Sequence, residues 1–140
     1  MVKDNWVEKL SEKVIDANRV DEFSDVQNVV SYVDEIIQST FNIDKLEGKN
    51  FRYSKTNKSI QLSIFDKQLS IFAQEYEELV AIKVGSVSNP NDIKVVGVIT
   101  MYDGSFNYPE GIKKEKFNKW HIESILKENF QIREEVFSFE

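Results

Sequence analysis

The stretch Ile60-Gln61-Leu62-Ser63-Ile64-Phe65-Asp66-Lys67-Gln68-Leu69-Ser70-Ile71-Phe72-Ala73 decides the fold class. Ile60, Leu62 and Ile64 alternate with Gln61 and Ser63, the period of two that turns one side of a strand to a core and the other to water. Leu69, Ile71 and Ala73 repeat it, so the two runs read as a hairpin turning at Asp66-Lys67. The same period extends both ways along the chain. Phe51 and Tyr53 open an earlier strand that turns at Asn57-Lys58, and Leu79 to Val87 sets Val80, Ile82 and Val84 on one side. Ser88-Asn89-Pro90-Asn91-Asp92 is dense in turn formers. Ile93 to Tyr102 is apolar on both faces, through Val95, Val96, Val98 and Ile99, and reads as a central strand covered on both sides. Asp103-Gly104 signals a type I′ hairpin, which needs positive φ at both positions. Phe106 and Tyr108 continue the return strand until Pro109 stops it. Ile132 to Phe139 alternates weakly and offers a further edge strand.

Flanking this meander the period is 3.6. Trp6, Val7, Leu10, Val14 and Ala17 share one side of a helix over Asp4 to Asn18, with Asp4 placed to cap it. Ser24-Asp25-Val26-Gln27 has the form of a capping box. After it, Val26, Val29, Val30, Val33, Ile36, Ile37 and Phe41 make an apolar stripe that must cover the sheet. Lys114 to Asn129 reads as a third helix, with Phe117, His121, Ile122, Ile125, Leu126 and Phe130 on its inner arc. Lys113, Lys114, Lys116 and Lys119 near its start oppose the helix dipole. The expected fold is therefore one α+β domain over residues 1–140: two N-terminal helices and one C-terminal helix packed on a five- to six-stranded antiparallel meander. If the central strand is buried on both faces, the sheet either curls around its own contents or meets a second copy, and a twofold homodimer is the favoured solution.

Composition narrows the chemistry. The 140 residues contain no cysteine and one histidine, so disulfides, thiolate chemistry and the common His/Cys metal sites cannot be built within the chain. Neither a Walker pattern nor Gly-x-Gly-x-x-Gly occurs, and five scattered glycines leave no phosphate cradle. No run approaches the roughly 20 apolar residues of a membrane span, and the charged amino terminus lacks the form of a signal peptide. A soluble cytoplasmic protein without metal or cofactor is expected. Lysine- and asparagine-rich usage suggests an AT-rich genome, that of a low-GC bacterium or its phage. The net charge of −6 lies in residues 1–48, which hold 11 acids and 5 bases against 13 of each in residues 49–140. Such an acidic pole disfavours nucleic acid and suits a basic protein partner.

The candidate side chains are few. His121 would need a nucleophile and an orienting acid to act as a general base, and no nucleophile-elbow pattern supplies one. Glu75, Glu77 and Glu78 fall at a strand connection and read as a solvated turn. Lys49, Arg52, Lys55 and Lys58 beside Phe51 and Tyr53, with the lysines around Trp120, could contact single-stranded nucleic acid only if the two clusters met on one surface. Lysines guarding an edge strand explain the first cluster without it. Trp120, Lys116 and Lys119 are the expected contact residues for a protein partner. Tyr53, Tyr102 and His121 are the candidate polar groups of a ligand cavity below the helices. The leading expectation is a non-enzymatic protein that works by protein–protein binding or regulation, of the inhibitor, immunity or phage-modulator type. The alternative is a small-molecule-binding domain or minor enzyme with a cavity between bent sheet and helices.

Overall fold

The computed structural model describes residues 5–102, 104–110 and 113–131. Helices α1 (Trp6–Asp21), α2 (Val26–Thr40) and α3 (Ile43–Leu46) come first. Seven strands follow: β1 (Phe51–Lys55), β2 (Ser59–Ile64), β3 (Lys67–Gln74), β4 (Leu79–Ser86), β5 (Ile93–Tyr102), β6 (Ser105–Glu110) and β7 (Lys113–Lys116). Helix α4 (Lys119–Phe130) comes last. The strands form a single antiparallel meander in the order β1 to β7, with the helices on one face. This is the α+β architecture expected, with one more strand and a one-turn α3 that carries no apolar period to reveal it.

The inward rows of the sheet are the ones the alternation picks out. Ile60, Leu62, Leu69, Ile71, Val80, Ile82 and Ile99 are all essentially inaccessible. Helix α2 lays Val26, Val29, Val30, Val33, Ile36 and Ile37 across them. Each such side chain contributes about 1.5–3 kcal/mol on burial, which outweighs the poor helix propensity of so many β-branched residues. The cap of α2 sits one residue later than expected. Asp25 accepts from the amides of Gln27 and Asn28, and the Asn28 side chain accepts in return from the Asp25 amide at 3.1 Å. Helix α1 starts at Trp6 after Asn5; Asp4, expected as its cap, lies outside the described residues.

Thr56 N donates to Ser59 O at 2.8 Å around Asn57-Lys58, the expected first turn. The second hairpin turns one residue early, at Phe65-Asp66, because Ile64 rather than Phe65 faces Lys67. Phe65 thereby takes φ 53°. At the β5–β6 hairpin Tyr102 pairs with Ser105 and Gly104 has φ 80°, while Asp103 lies outside the described residues.

Strand β5 lies inside the sheet, and a bulge contributes to its two-sided apolar pattern. Gly97 pairs with Ile82 and Val95 with Lys83, so Val96 is an extra residue, a bulge that switches the inward phase. Ile93 and Val95 consequently point to the helix-free face, where Val95 is 55% exposed. Pro109 does not end β6, because past Asn107 the strand pairs only with β7 and a missing amide on the other side costs nothing. Lys114 to Lys116, expected to begin the third helix, belong instead to the edge strand β7. The carboxy-terminal strand expected at 132–139 lies outside the described residues.

Candidate functional site

The residues expected to share a cavity are dispersed. Tyr53 lies on edge strand β1, where its hydroxyl donates to Asp34 of α2. Asp34 also accepts from Lys55 at 2.6 Å and Gln38 at 2.8 Å. Burial pushes the Asp34 carboxyl up, but these three bonds outweigh it and hold it below the usual carboxylate range. Burial and the adjoining Asp34 raise the Tyr53 phenol in turn. The trio ties helix to sheet edge. Tyr102 stands on the opposite, helix-free face at the end of β5, exposed.

His121 is buried near the other edge of the sheet, its ring between Tyr108, 4.6 Å away and stacked, and Phe117 at 6.1 Å. Nδ1 accepts the Asn118 amide at 3.2 Å. The remaining hydrogen of a neutral ring is then on Nε2, directed at Glu115 Oε2 3.2 Å away. Both nitrogens are thus engaged: His121 completes the α4 capping box with Asn118 and stacks in the core.

The two basic clusters also stay apart. Lys55 and Lys58 sit on or beside β1, whereas Lys116 is on β7, the opposite edge of a sheet roughly 30 Å wide at about 4.8 Å per strand. Lys58 is bonded to Glu75 at 3.0 Å, and Glu75 also accepts from Gln27 at 3.0 Å. Among the described residues no group of three potential ligands is placed to hold a metal ion. Among the described residues no helix is long and apolar enough to cross a membrane.

The residues expected at a protein contact do converge. Trp120, in the first turn of α4, is half-buried beside α1, with Lys119 Nζ 5.1 Å and Lys13 Nζ 5.7 Å from its ring centroid. Lys116 pairs with Asp21 at the end of α1. Lys9, Lys13, Ala17, Lys116, Phe117 and Trp120 line an open groove of about 750 Å³. The buried residues of α1 lie in its last turns, as do hydrogen bonds that tie it to the body. Val20 is buried, Arg19 makes a bidentate pair with Glu35 of α2, and Asp16 accepts the Lys119 amide at 3.3 Å at the start of α4. Desolvation raises the Asp16 carboxyl above its ordinary value despite that bond. Every residue from Asn5 to Ile15 is exposed, and Trp6, Leu10, Val14 and Ile15 are each 51–67% accessible. The stripe that should have covered a core projects from it.

A second concavity, of about 890 Å³, opens between the helices and the end of the sheet where β2 meets β3 and β4 meets β5. Its walls are apolar: Phe41, Phe51, Ile64, Val84 and Phe130, with Leu46 of α3. Lys67 and Lys94 also line it. Lys67 is in phase with buried Leu69 and Ile71, and Lys94 pairs with buried Val84, so both point to the helix-covered side. Neither has a carboxylate within 4.0 Å among the described residues. Asp66 at the rim is committed elsewhere, since it accepts from Ser86 Oγ, from Ser88 Oγ at 3.0 Å and from the Ser88 amide at 2.9 Å. These bonds hold its carboxyl below the usual range. Phe65 overhangs the mouth, 70% exposed. Sequence reasoning missed this site. Lys67, in phase with Leu69, was its one legible sign; the Val96 bulge hid Lys94. The chain matches no protein-family model, no curated protein and no solved structure.

Proposed function

We propose that the protein is a non-enzymatic binding protein that docks a protein partner along α1 and the adjoining Trp120 groove. The observation that carries this reading is the projecting half of α1. Isolated helices shorter than about 12–15 residues are marginal in water, and most helices gain stability from a packed apolar face. Here no residue from Val7 to Ile15 is buried, and Val7, Leu10 and Val14 on that face are each at least 51% exposed. Burial of Leu10, Val7 and Val14 by a partner would supply what the fold does not, and Trp120, across the groove lined by Lys9 and Lys13, supplies an aromatic anchor. Lys9 and Lys13 flank the stripe with no carboxylate within 4.0 Å among the described residues. A partner segment with an apolar face and acidic flanks complements it.

Affinity capture from the source cell, followed by direct titration of the recovered protein, tests the reading. Leu10→Glu should abolish binding and leave the melting temperature unchanged, because Leu10 touches no core. Sedimentation shows whether the partner is a second copy. A recovered partner that binds Leu10→Glu and Trp120→Ala as tightly as wild type would refute the reading. A second reading, a small-molecule-binding domain, is supported by the concavity that holds Lys67 and Lys94.

A further inference from the structure

We propose that the concavity at the end of the sheet binds a monocarboxylate with an apolar chain. The carboxylate lies between Lys67 and Lys94, and the chain packs on Phe51, Ile64, Val84 and Phe130. The proposal rests on the small-molecule reading and names its ligand class. Ligand sites run from about 300 to 1,000 Å³ and combine apolar walls with a few placed polar groups, the form seen here.

The charge of the ligand follows from the lysines. A strand position on the core-facing side is normally apolar, and a lysine there is expected only where its ammonium reaches water or a partner. Lys67 and Lys94 occupy two such positions, on β3 and β5, two strands apart and staggered by two residues, about 12 Å between their Cα atoms. Both line the same apolar space. The rim acids differ in placement. Asp66 lies in the β2–β3 turn and is saturated by Ser86 and Ser88, and Asp92 lies in the β4–β5 loop. The two lysines, exposed and without a carboxylate within 4.0 Å among the described residues, bring positive charge to the open side of an apolar space, which orients an amphiphile with its anionic head on the lysines.

Phe65 is an independent sign. It takes φ 53° at a turn position that suits glycine, and it leaves a large ring 70% exposed at the mouth of an apolar space. Neither the turn nor the core gains from an aromatic there. Strained residues of this kind gather at ligand clamps. A bound acyl chain would cover the ring.

The test uses the full chain, isothermal titration calorimetry, and decanoate against 1-decanol, both below their aggregation limits. Decanoate is expected to saturate at one molecule per chain and to bind about tenfold or more tightly than decanol, the worth of charge-assisted bonds to the head. K67M/K94M should lose about that factor for decanoate while decanol is unaffected. Phe65→Gly should leave the melting temperature unchanged or raised, since it relieves the turn, yet weaken both ligands. That opposite pair of signs separates a clamp from a structural residue. Decanol binding as tightly as decanoate would overturn the carboxylate assignment and leave the small-molecule reading standing. Failure of both, or adsorption that never saturates, would overturn both. Full decanoate affinity in K67M/K94M would remove the lysines from the site.

Discussion

At Gly97 a single methyl group should be costly. A Cβ built at this position would lie 2.6 Å from both Cε1 and Oη of Tyr108 and 2.9 Å from Cζ. A free side chain could swing away, but Tyr108 cannot. Its other side is stacked on His121 at 4.6 Å, its hydroxyl reaches Val96 O at 3.4 Å, and His121 is fixed by the Asn118 amide. Moving the ring forfeits a stacking contact of about 0.5–1.5 kcal/mol and a weak hydrogen bond, and strains a helix cap that is itself worth about 1 kcal/mol. Against this, alanine in a strand regains about 0.5–1 kcal/mol relative to glycine. The expected net for Gly97→Ala is a destabilisation of about 1–2 kcal/mol, or about 3–10 °C in melting temperature for a domain of this size. Urea unfolding followed by far-ultraviolet circular dichroism measures it. The same substitution in a Tyr108→Ala background should be neutral or slightly stabilising, because the obstructing ring is gone. A Gly97→Ala protein as stable as wild type, or equal costs in both backgrounds, would refute this account of why the strand has a glycine there.

The other expectations concern groups that hold helices to the sheet. His121→Ala should destabilise by about 1–2 kcal/mol through loss of the capping box and the stack, and His121→Gln should recover part of it, as glutamine at N3 can also accept the Asn118 amide; unfolding titrations compare the three. Asp34 and Asp16 should respond to pH with opposite sign. The Asp34 carboxyl is depressed in the fold, so its contribution is present above the unfolded pKa of about 3.9 and lost as pH falls through the lower folded value. The Asp16 carboxyl is raised, so the fold favours its protonated form and loses that stabilisation as pH rises above about 4 through the folded value. Asp34→Asn should therefore destabilise at neutral pH, while Asp16→Asn should be neutral or stabilising there. Melting temperatures between about pH 3 and pH 7 would expose the reverse order, which would contradict both assignments.

Most of the architecture was legible because one face of each element is buried. The period of two in β2, β3 and β4 and the stripe of α2 map onto the core, with Ile64 and Phe41 at its margin and Ala81 and Tyr32 buried in addition. Misreadings arose where two registers satisfied the same local chemistry. Ser24 and Asp25 are both good caps, followed three residues later by Gln27 and Asn28, so only packing selects the later pair. Phe117 points inward whether its segment is helix or strand, and Lys113–Lys116 has no apolar alternation, so the edge strand β7 looked like the start of α4. Charged edge strands escape pattern reading for the reason they are charged, which is to discourage pairing. A bulge is worse still, because the one extra residue at Val96 reverses the phase of the strand on either side of it. The candidate sites were less legible than the fold. Trp120 and its lysines were visible as an odd combination, whereas the cavity depends on Lys94 and Phe65, whose orientations follow from a bulge and a turn shift.

The way α1 is fastened has a consequence for how such a protein changes over generations. Asp16, Arg19 and Val20 anchor the helix, and no buried side chain belongs to the ten residues before them. Substitutions at the exposed positions of those outer turns, such as Val7, Leu10 and Val14, disturb no buried packing, so that surface can vary while the sheet stays constant.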